Sequence, residues 1–123
     1  MSVLTETNHA GGFLVWEVLR DYTRDTVTIA LGAGKLEAGT VLGKLSSGGK
    51  YMPLSPGASN GSQTAAGILW ASVDATSEDA TGVILLRGPA IVNRSEVLFP
   101  STATEAQVTS ASTALAALGI LLR

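Results

Sequence analysis

The sequence predicts a mainly β domain with one helix near its C-terminus, an α+β fold. Two observations carry this prediction. Short apolar runs rich in branched residues alternate with glycine-containing turns, and only residues 102–119 combine helical spacing with helix end signals. The length of 123 residues is typical of one domain. Most of the core is therefore expected to come from strands.

Residues 65–100 supply the predicted central hairpin. Two apolar runs flank an acidic loop at 74–82, and each run is too short for an independent helix. This pattern favours strands that are buried on both faces. Trp70 has the largest apolar area in the region and is predicted to anchor the core. The chain is expected to bend at Gly88-Pro89.

Shorter strands are predicted before this hairpin. Residues 26–31 alternate strictly, which predicts a half-buried strand with its valine, isoleucine and leucine on one face. Gly39 is expected to form a turn or bulge before a strand at 41–45. Pro53 lacks a backbone donor, so its strand should be very short or lie at a sheet edge.

The helix is predicted from its ends as well as from its spacing. Thr102 and Glu105 have the spacing of a capping box, and Gly119 lies where a C-terminal cap is expected. Apolar residues recur on one face at Val108, Ala111, Leu115 and Leu118. Several threonines and serines in between are mediocre helix formers, so the helix needs a sheet beneath it. Residues 120–122 are expected to return as a final strand.

Residues 1–20 are interpreted as an N-terminal arm that precedes a domain at 21–123. The first twelve residues are polar, and Gly11-Gly12 predicts a flexible joint. Residues 13–19 are apolar enough to dock onto a partner. They would serve equally well as the first strand of the domain, and the two interpretations are compatible.

Composition narrows the function classes. A net charge of −2 without a basic cluster argues against nucleic-acid binding. The absence of cysteine excludes disulfides, thiolate catalysis and cysteine zinc sites. Neither a membrane span nor a secretory signal is expected. The mean hydropathy of +0.33 suggests apolar surface covered by other copies or by a partner, although an alanine-rich chain explains it equally well.

No catalytic, metal-binding or cofactor-binding residue is expected. His9, the only histidine, lacks a partner for catalysis in its sequence context. Gly34-Lys35 fails the phosphate-loop pattern because Ile29 and Leu36 occupy the required glycine and hydroxyl positions. The acidic residues at 74–79 lack the alternating ligands of a calcium loop and fit a solvated loop better. A structural or binding role is the resulting interpretation.

Five segments in order resemble the head decoration protein family of lambda-type tailed bacteriophages. The segments are YTRDTVTI at 22–29, LEAGTVLG at 36–43, GSQTAAGIL at 61–69, GPAIVNR at 88–94 and LGI at 118–120. The ordered set is much harder to obtain by chance than any one piece. The resemblance covers about residues 22–123, and the sequence of the arm departs from the lambda-like pattern.

The resemblance implies a β-clip-like compact domain that forms a homotrimer on the outer surface of the virion. It also implies that the partner is the major capsid protein, that the sites are three-fold and quasi-three-fold positions of the expanded shell, and that assembly occurs in the host cytoplasm. A mobile arm would become ordered on the shell by strand pairing. The candidate capsid-binding residues in this chain are Val3, Leu4, Phe13, Leu14, Val15, Trp16 and Val18.

Two alternatives belong to other classes. A small β-barrel module carrying a ligand or cofactor would need a modifiable lysine in a tight turn. Lys35, Lys44 and Lys50 are present, but none follows methionine as in biotinyl domains. A small hydrolase with a cryptic site would need clustered acids and a pocket.

Overall fold

The computed structural model describes residues 10–17 and 23–123, and over these residues the predicted fold class is confirmed. Among these residues strands dominate, and they are accompanied by a 3₁₀ turn at Arg94–Glu96 and by the helix α1 at Glu105–Ala117. The strands are β1 Leu14–Glu17, β2 Arg24–Ile29, β3 Gly34–Leu36, β4 Val41–Lys44, β5 Tyr51–Pro53, β6 Ala65–Leu69, β7 Val73–Ala75, β8 Ala80–Leu85, β9 Ala90–Val92 and β10 Ile120–Leu122.

Five strands close into a barrel in the order β2-β5-β4-β6-β8. The longest ladder joins β2 to β8 without a register shift, from Arg24 opposite Leu85 to Ile29 opposite Ala80. β6 also pairs antiparallel with β8, which confirms the predicted central hairpin. The acidic loop between them contains β7, which pairs with β3 in a separate ribbon. Closure gives every barrel strand two neighbours and removes exposed edges.

A second sheet has the order β1-β9-β10. β9 pairs antiparallel with β1 and parallel with β10, so the predicted final strand is confirmed. The Asn93 N–H extends the first pairing by donating to the Phe13 carbonyl at 2.6 Å. α1 contacts both β6 and β10 and so joins this sheet to the barrel.

The core has two parts that follow this division. One part lies among the three-stranded sheet, α1 and the adjacent side of the barrel, and it contains Phe13, Val41, Leu54, Ala65, Ile68, Leu85, Ala90, Val92, Val97, Ala111, Leu115 and Ile120. The other fills the remainder of the barrel with Ile29, Leu42, Tyr51, Leu69, Ala75 and Ile84. Branched aliphatic residues supply most of both parts, as expected from the sequence.

The helix begins two residues later than its predicted cap implied. Thr104, not Thr102, accepts the N–H of Gln107 at 3.2 Å, and the Gln107 side chain accepts the Thr104 N–H at 2.8 Å. Ala103 N–H donates to the Pro100 carbonyl, so Thr102 lies in the turn before the helix. The predicted cap at Gly119 is confirmed by its φ of +89° and its N–H bond to Ala116.

One prediction about a single side chain is wrong, and another holds only in part. Trp70 packs against the core, as predicted, but it is half-buried at the edge. Leu31 falls just after β2 and is 56% exposed, and its N–H donates to Oδ1 of Asp79. Pro53 ends a three-residue strand, so the very short strand was predicted correctly, although β5 lies between β2 and β4.

Candidate interaction surface

Residues 10–17, which we call the strap, lie along the outside of the barrel and end in β1. Phe13 is 1% exposed and belongs to the core, and Leu14 is half-buried against it. A turn closed by the Leu14 N–H and the Gly11 carbonyl, 3.0 Å apart, leads into the strand. The interpretation of this segment as a first strand is therefore confirmed for residues 14–17.

A bulge in β1 exposes two large apolar side chains side by side. Leu14 pairs with Val92 and Trp16 with Ile91, so the strap carries one residue more than β9 between these pairs. In a regular strand, neighbouring side chains point to opposite faces, whereas a bulge redirects them. Val15 is 61% exposed and Trp16 is 50% exposed. They are two of the six large apolar side chains exposed on the described surface, the others being Leu31, Val83, Leu118 and Leu121.

Trp70 receives the first half of the strap. The Gly11 N–H donates to the Trp70 carbonyl at 2.9 Å, and the Phe13 ring meets the indole edge-on with centroids 5.6 Å apart. A methyl group on Gly11 would lie 2.6 Å from Cη2 of Trp70. The backbone of Gly11 is thus seated directly on the indole, where only glycine fits.

Arg24 fastens the second half of the strap. Its guanidinium carbon lies 3.4 Å from the Trp70 ring centroid, and its Nε donates to Oε2 of Glu17 at 3.2 Å. A second guanidinium nitrogen donates to Oε1 of Glu17, so the ion pair is bidentate. Thr23 Oγ1 also donates to Oε2 of Glu17 at 2.7 Å. A charged pair held by several donors and stacked on a ring is among the stronger polar contacts available.

Four of the seven candidate binding residues are described by the structure, and they differ in exposure. Val15 and Trp16 are presented to solvent, whereas Phe13 and Leu14 support the strap from the interior. Val3, Leu4 and Val18 lie outside the described residues, as does His9.

Sequence reasoning missed the residues that hold the strap in place. The contact joins three segments, which supply Glu17, Arg24 and Trp70. No local sequence pattern predicts that these residues are close together. The one available signal was the pair of opposite charges flanking residues 18–23, which is too common to be diagnostic.

An open groove of about 930 Å³ lies beside the barrel mouth. Its walls include Asp25, Lys44, Tyr51, Arg87 and Leu118. Burial, and next the Asp25 carboxylate, raise the pKa of the Tyr51 hydroxyl, while Arg87 opposes the shift. The phenol therefore stays protonated at neutral pH and is suited to donating a hydrogen bond, not to acting as a base.

Asp74 and Asp79 of the acidic loop accept hydrogen bonds from nearby groups. Asp74 accepts from the Thr76 hydroxyl and N–H, and these bonds lower the pKa of its carboxyl. Asp79 accepts from Lys50 Nζ at 2.6 Å and from the Leu31 N–H at 2.8 Å, and its pKa is lowered for the same reason. Among the residues described, no three acidic or histidine side chains gather as they would around a metal ion.

Residues 10–17 and 23–123 include no helix that is both long and apolar enough to cross a bilayer.

Comparison with known families decides the classification. The sequence profile of the family described as bacteriophage lambda head decoration protein D matches residues 3–120, nearly the whole chain. The chain belongs to this family. A sequence comparison with curated proteins returns no significant match. Membership in the head decoration family makes this a structural protein that associates with the phage capsid, as the sequence resemblance predicted.

Proposed function

We propose that this head decoration protein is a trimeric cement on the outside of the expanded phage shell. It binds the major capsid protein at three-fold and quasi-three-fold sites after assembly of both proteins in the host cytoplasm. It carries out no catalysis and needs no cofactor. The observation that carries this proposal is the family match over residues 3–120.

The exposed pair on the bulge is the proposed contact with the shell. Val15 and Trp16 present adjacent apolar surface in a chain that buries most of its other large apolar side chains. Aromatic side chains are common anchors at interfaces because they bury much area with few rotatable bonds. Residues 1–9, which precede the strap, are proposed to continue the contact as an arm.

Three copies make weak contacts sufficient. A trimer on a local three-fold axis matches its symmetry to that of the lattice and presents three arms at once. After the first arm binds, the other two bind at high effective concentration, so the assembly is held more tightly than any single contact. A protein that binds only the expanded lattice also stabilises that lattice by mass action against the pressure of packaged DNA.

The direct test is co-sedimentation with purified expanded and unexpanded shells. We expect the wild-type protein to bind expanded shells, and V15S/W16S to lose at least about tenfold in affinity because its apolar anchor is removed. L31S is the matched control, since Leu31 is exposed to a similar extent away from the strap. Deleting residues 1–9 should also weaken binding.

Several results would contradict the proposal. If wild-type protein did not bind expanded shells, the proposed cement function would be wrong. Equal loss in L31S and V15S/W16S would remove the special role of the bulge. Sedimentation equilibrium tests the copy number, and a protein that is monomeric on the shell as well as in solution would exclude the trimer.

A further inference from the structure

We propose that the strap opens and closes on Trp70 while the barrel stays folded, and that the Arg24–Glu17 pair sets its closed position. This inference deepens the proposed function, on which its consequence for shell binding rests. Arg24 is thus a positioning residue for the exposed pair Val15–Trp16.

The strap is fastened at two points on one indole ring. At its start, Gly11 and Phe13 contact Trp70 directly. At its end, Glu17 reaches the same ring through Arg24, which lies between the carboxylate and the indole. The exposed pair lies between these points, so its position is set by both of them.

The barrel does not need the strap for closure. All five barrel strands lie within residues 24–85, and β2 closes the ring by pairing with β8. β1 has four residues, a shifted register and a single partner strand, β9. Short strands with few paired backbone groups open locally more readily than the rest of a protein, and here opening must also remove Phe13 from the core.

Phe13 supplies most of the free energy that keeps the strap closed, and the ion pair is the polar contact that fixes where its end lies. The side chains of Arg24 and Glu17 are 21% and 10% exposed, so water competes for them only weakly. Removing one partner leaves the other charge partly buried without compensation, which costs more than losing an exposed pair. The bidentate geometry also fixes the relative orientation of the two side chains, because a planar guanidinium matches a carboxylate in few orientations.

Closure would prepare the protein for the shell. A strap held in one position presents Val15 and Trp16 without further ordering, so less binding free energy is spent on fixing them. If a variant populates the open strap, its apparent affinity falls in proportion to the closed fraction that remains. Shell binding and Trp70 burial should therefore change together.

The strap is tested first without any shell. In a W16F background, Trp70 is the only tryptophan, and its quenching by acrylamide reports whether the strap covers it. We expect E17Q/W16F to raise the quenching constant about twofold or more while the far-UV circular dichroism of the barrel is retained. D79N/W16F is the matched control, because it removes the exposed Lys50–Asp79 pair, and it should leave quenching unchanged.

Shell binding is then measured with Trp16 restored. E17Q should reduce affinity for expanded shells about tenfold, and R24K, which keeps the charge but loses the planar fork, should give an intermediate loss. D79N should bind as the wild type does.

The outcomes separate this inference from the function on which it rests. Unchanged quenching in E17Q/W16F would overturn the strap. Loss of Trp70 protection only together with unfolding of the barrel would overturn it too, because the strap would not be a separate unit. Unaltered shell affinity in an opened variant would overturn the positioning role. Failure of wild-type protein to bind shells would instead defeat the cement function, while the quenching experiment would still test the strap.

Discussion

The strap and the β3–β7 ribbon, taken with its flanking residues 31–33 and 76–79, are built from the same three features in different surroundings. Each has a glycine with positive φ, a large apolar side chain and an ion pair. In the strap these are Gly11, Phe13 and the Glu17–Arg24 pair, and all of them contact the body of the protein. In the ribbon they are Gly32, Leu31 and the Asp79–Lys50 pair, which face solvent.

The difference shows that burial, more than residue type, decides what a contact contributes. The Asp79–Lys50 side chains are 39% and 43% exposed, and such pairs contribute little because water and salt screen them. The strap pair is sheltered and stacked on a ring, so the same kind of contact there can hold a backbone segment in place. Two pairs of matched variants and one pH-dependent measurement test this comparison.

The largest difference in the free energy of unfolding is expected between F13A and L31A. Phe13 is fully packed in the core, and truncating such a side chain typically lowers the free energy of unfolding by about 3–5 kcal/mol. Leu31 is mostly exposed, so L31A should change it by less than about 0.5 kcal/mol. Urea denaturation of both variants measures this. Similar losses would mean that the strap contributes no more to the core than the ribbon does.

A smaller difference is expected between G11A and G32A. Both glycines have positive φ, so alanine costs about 1–2 kcal/mol at either position. At Gly11 the added methyl also meets the Trp70 ring, whereas nothing lies within 4 Å of it at Gly32. We expect G11A to lose about 1–3 kcal/mol more than G32A by thermal denaturation. Equal losses would show that the indole can move aside freely.

The smallest effect is the pH dependence of the ribbon. Lys50 and the Leu31 N–H hold the pKa of Asp79 below its ordinary value of 3.8. Because the folded pKa is the lower one, this stabilisation is fully present at neutral pH and is lost as the pH falls below about 4. D79N should therefore melt slightly below the wild type at pH 7 and together with it near pH 2. A difference in melting temperature that grows as the pH falls would contradict the stabilising role of Asp79.

Local signals in the sequence predicted most strands and the helix, but not the β3–β7 ribbon. Asp74 and Ala75 were expected in a solvated loop, whereas they pair with β3 and Ala75 is buried. The alternation at 26–31 marked β2, and Gly119 marked the end of α1. The helix start was misplaced because Thr102 and Thr104 each have an acid or amide three residues later, and the turn at Pro100 selects the second. The capsid-associated role was also reached from sequence, through the resemblance and not through any single motif.

The surface could not be predicted because it depends on contacts between distant segments. Barrel closure requires β2 to meet β8, and a register across a long loop leaves no local trace. Trp70 was expected to anchor the core because of its large apolar area, but the sequence does not show that Arg24 lies over its ring. Likewise, the apolar run at 13–19 does not reveal that a bulge turns Val15 and Trp16 outward while Phe13 turns inward.

The position of β9 between β1 and β10 has a consequence for the order of folding. The barrel can form from one continuous stretch, whereas this sheet must gather residues 14–17, 90–92 and 120–122. Closing such long loops is entropically slow, so we expect the barrel to appear first and the sheet to be added to it. Newly made protein would then pass through a stage in which the barrel is formed but Val15 and Trp16 are not yet held in place by pairing with β9.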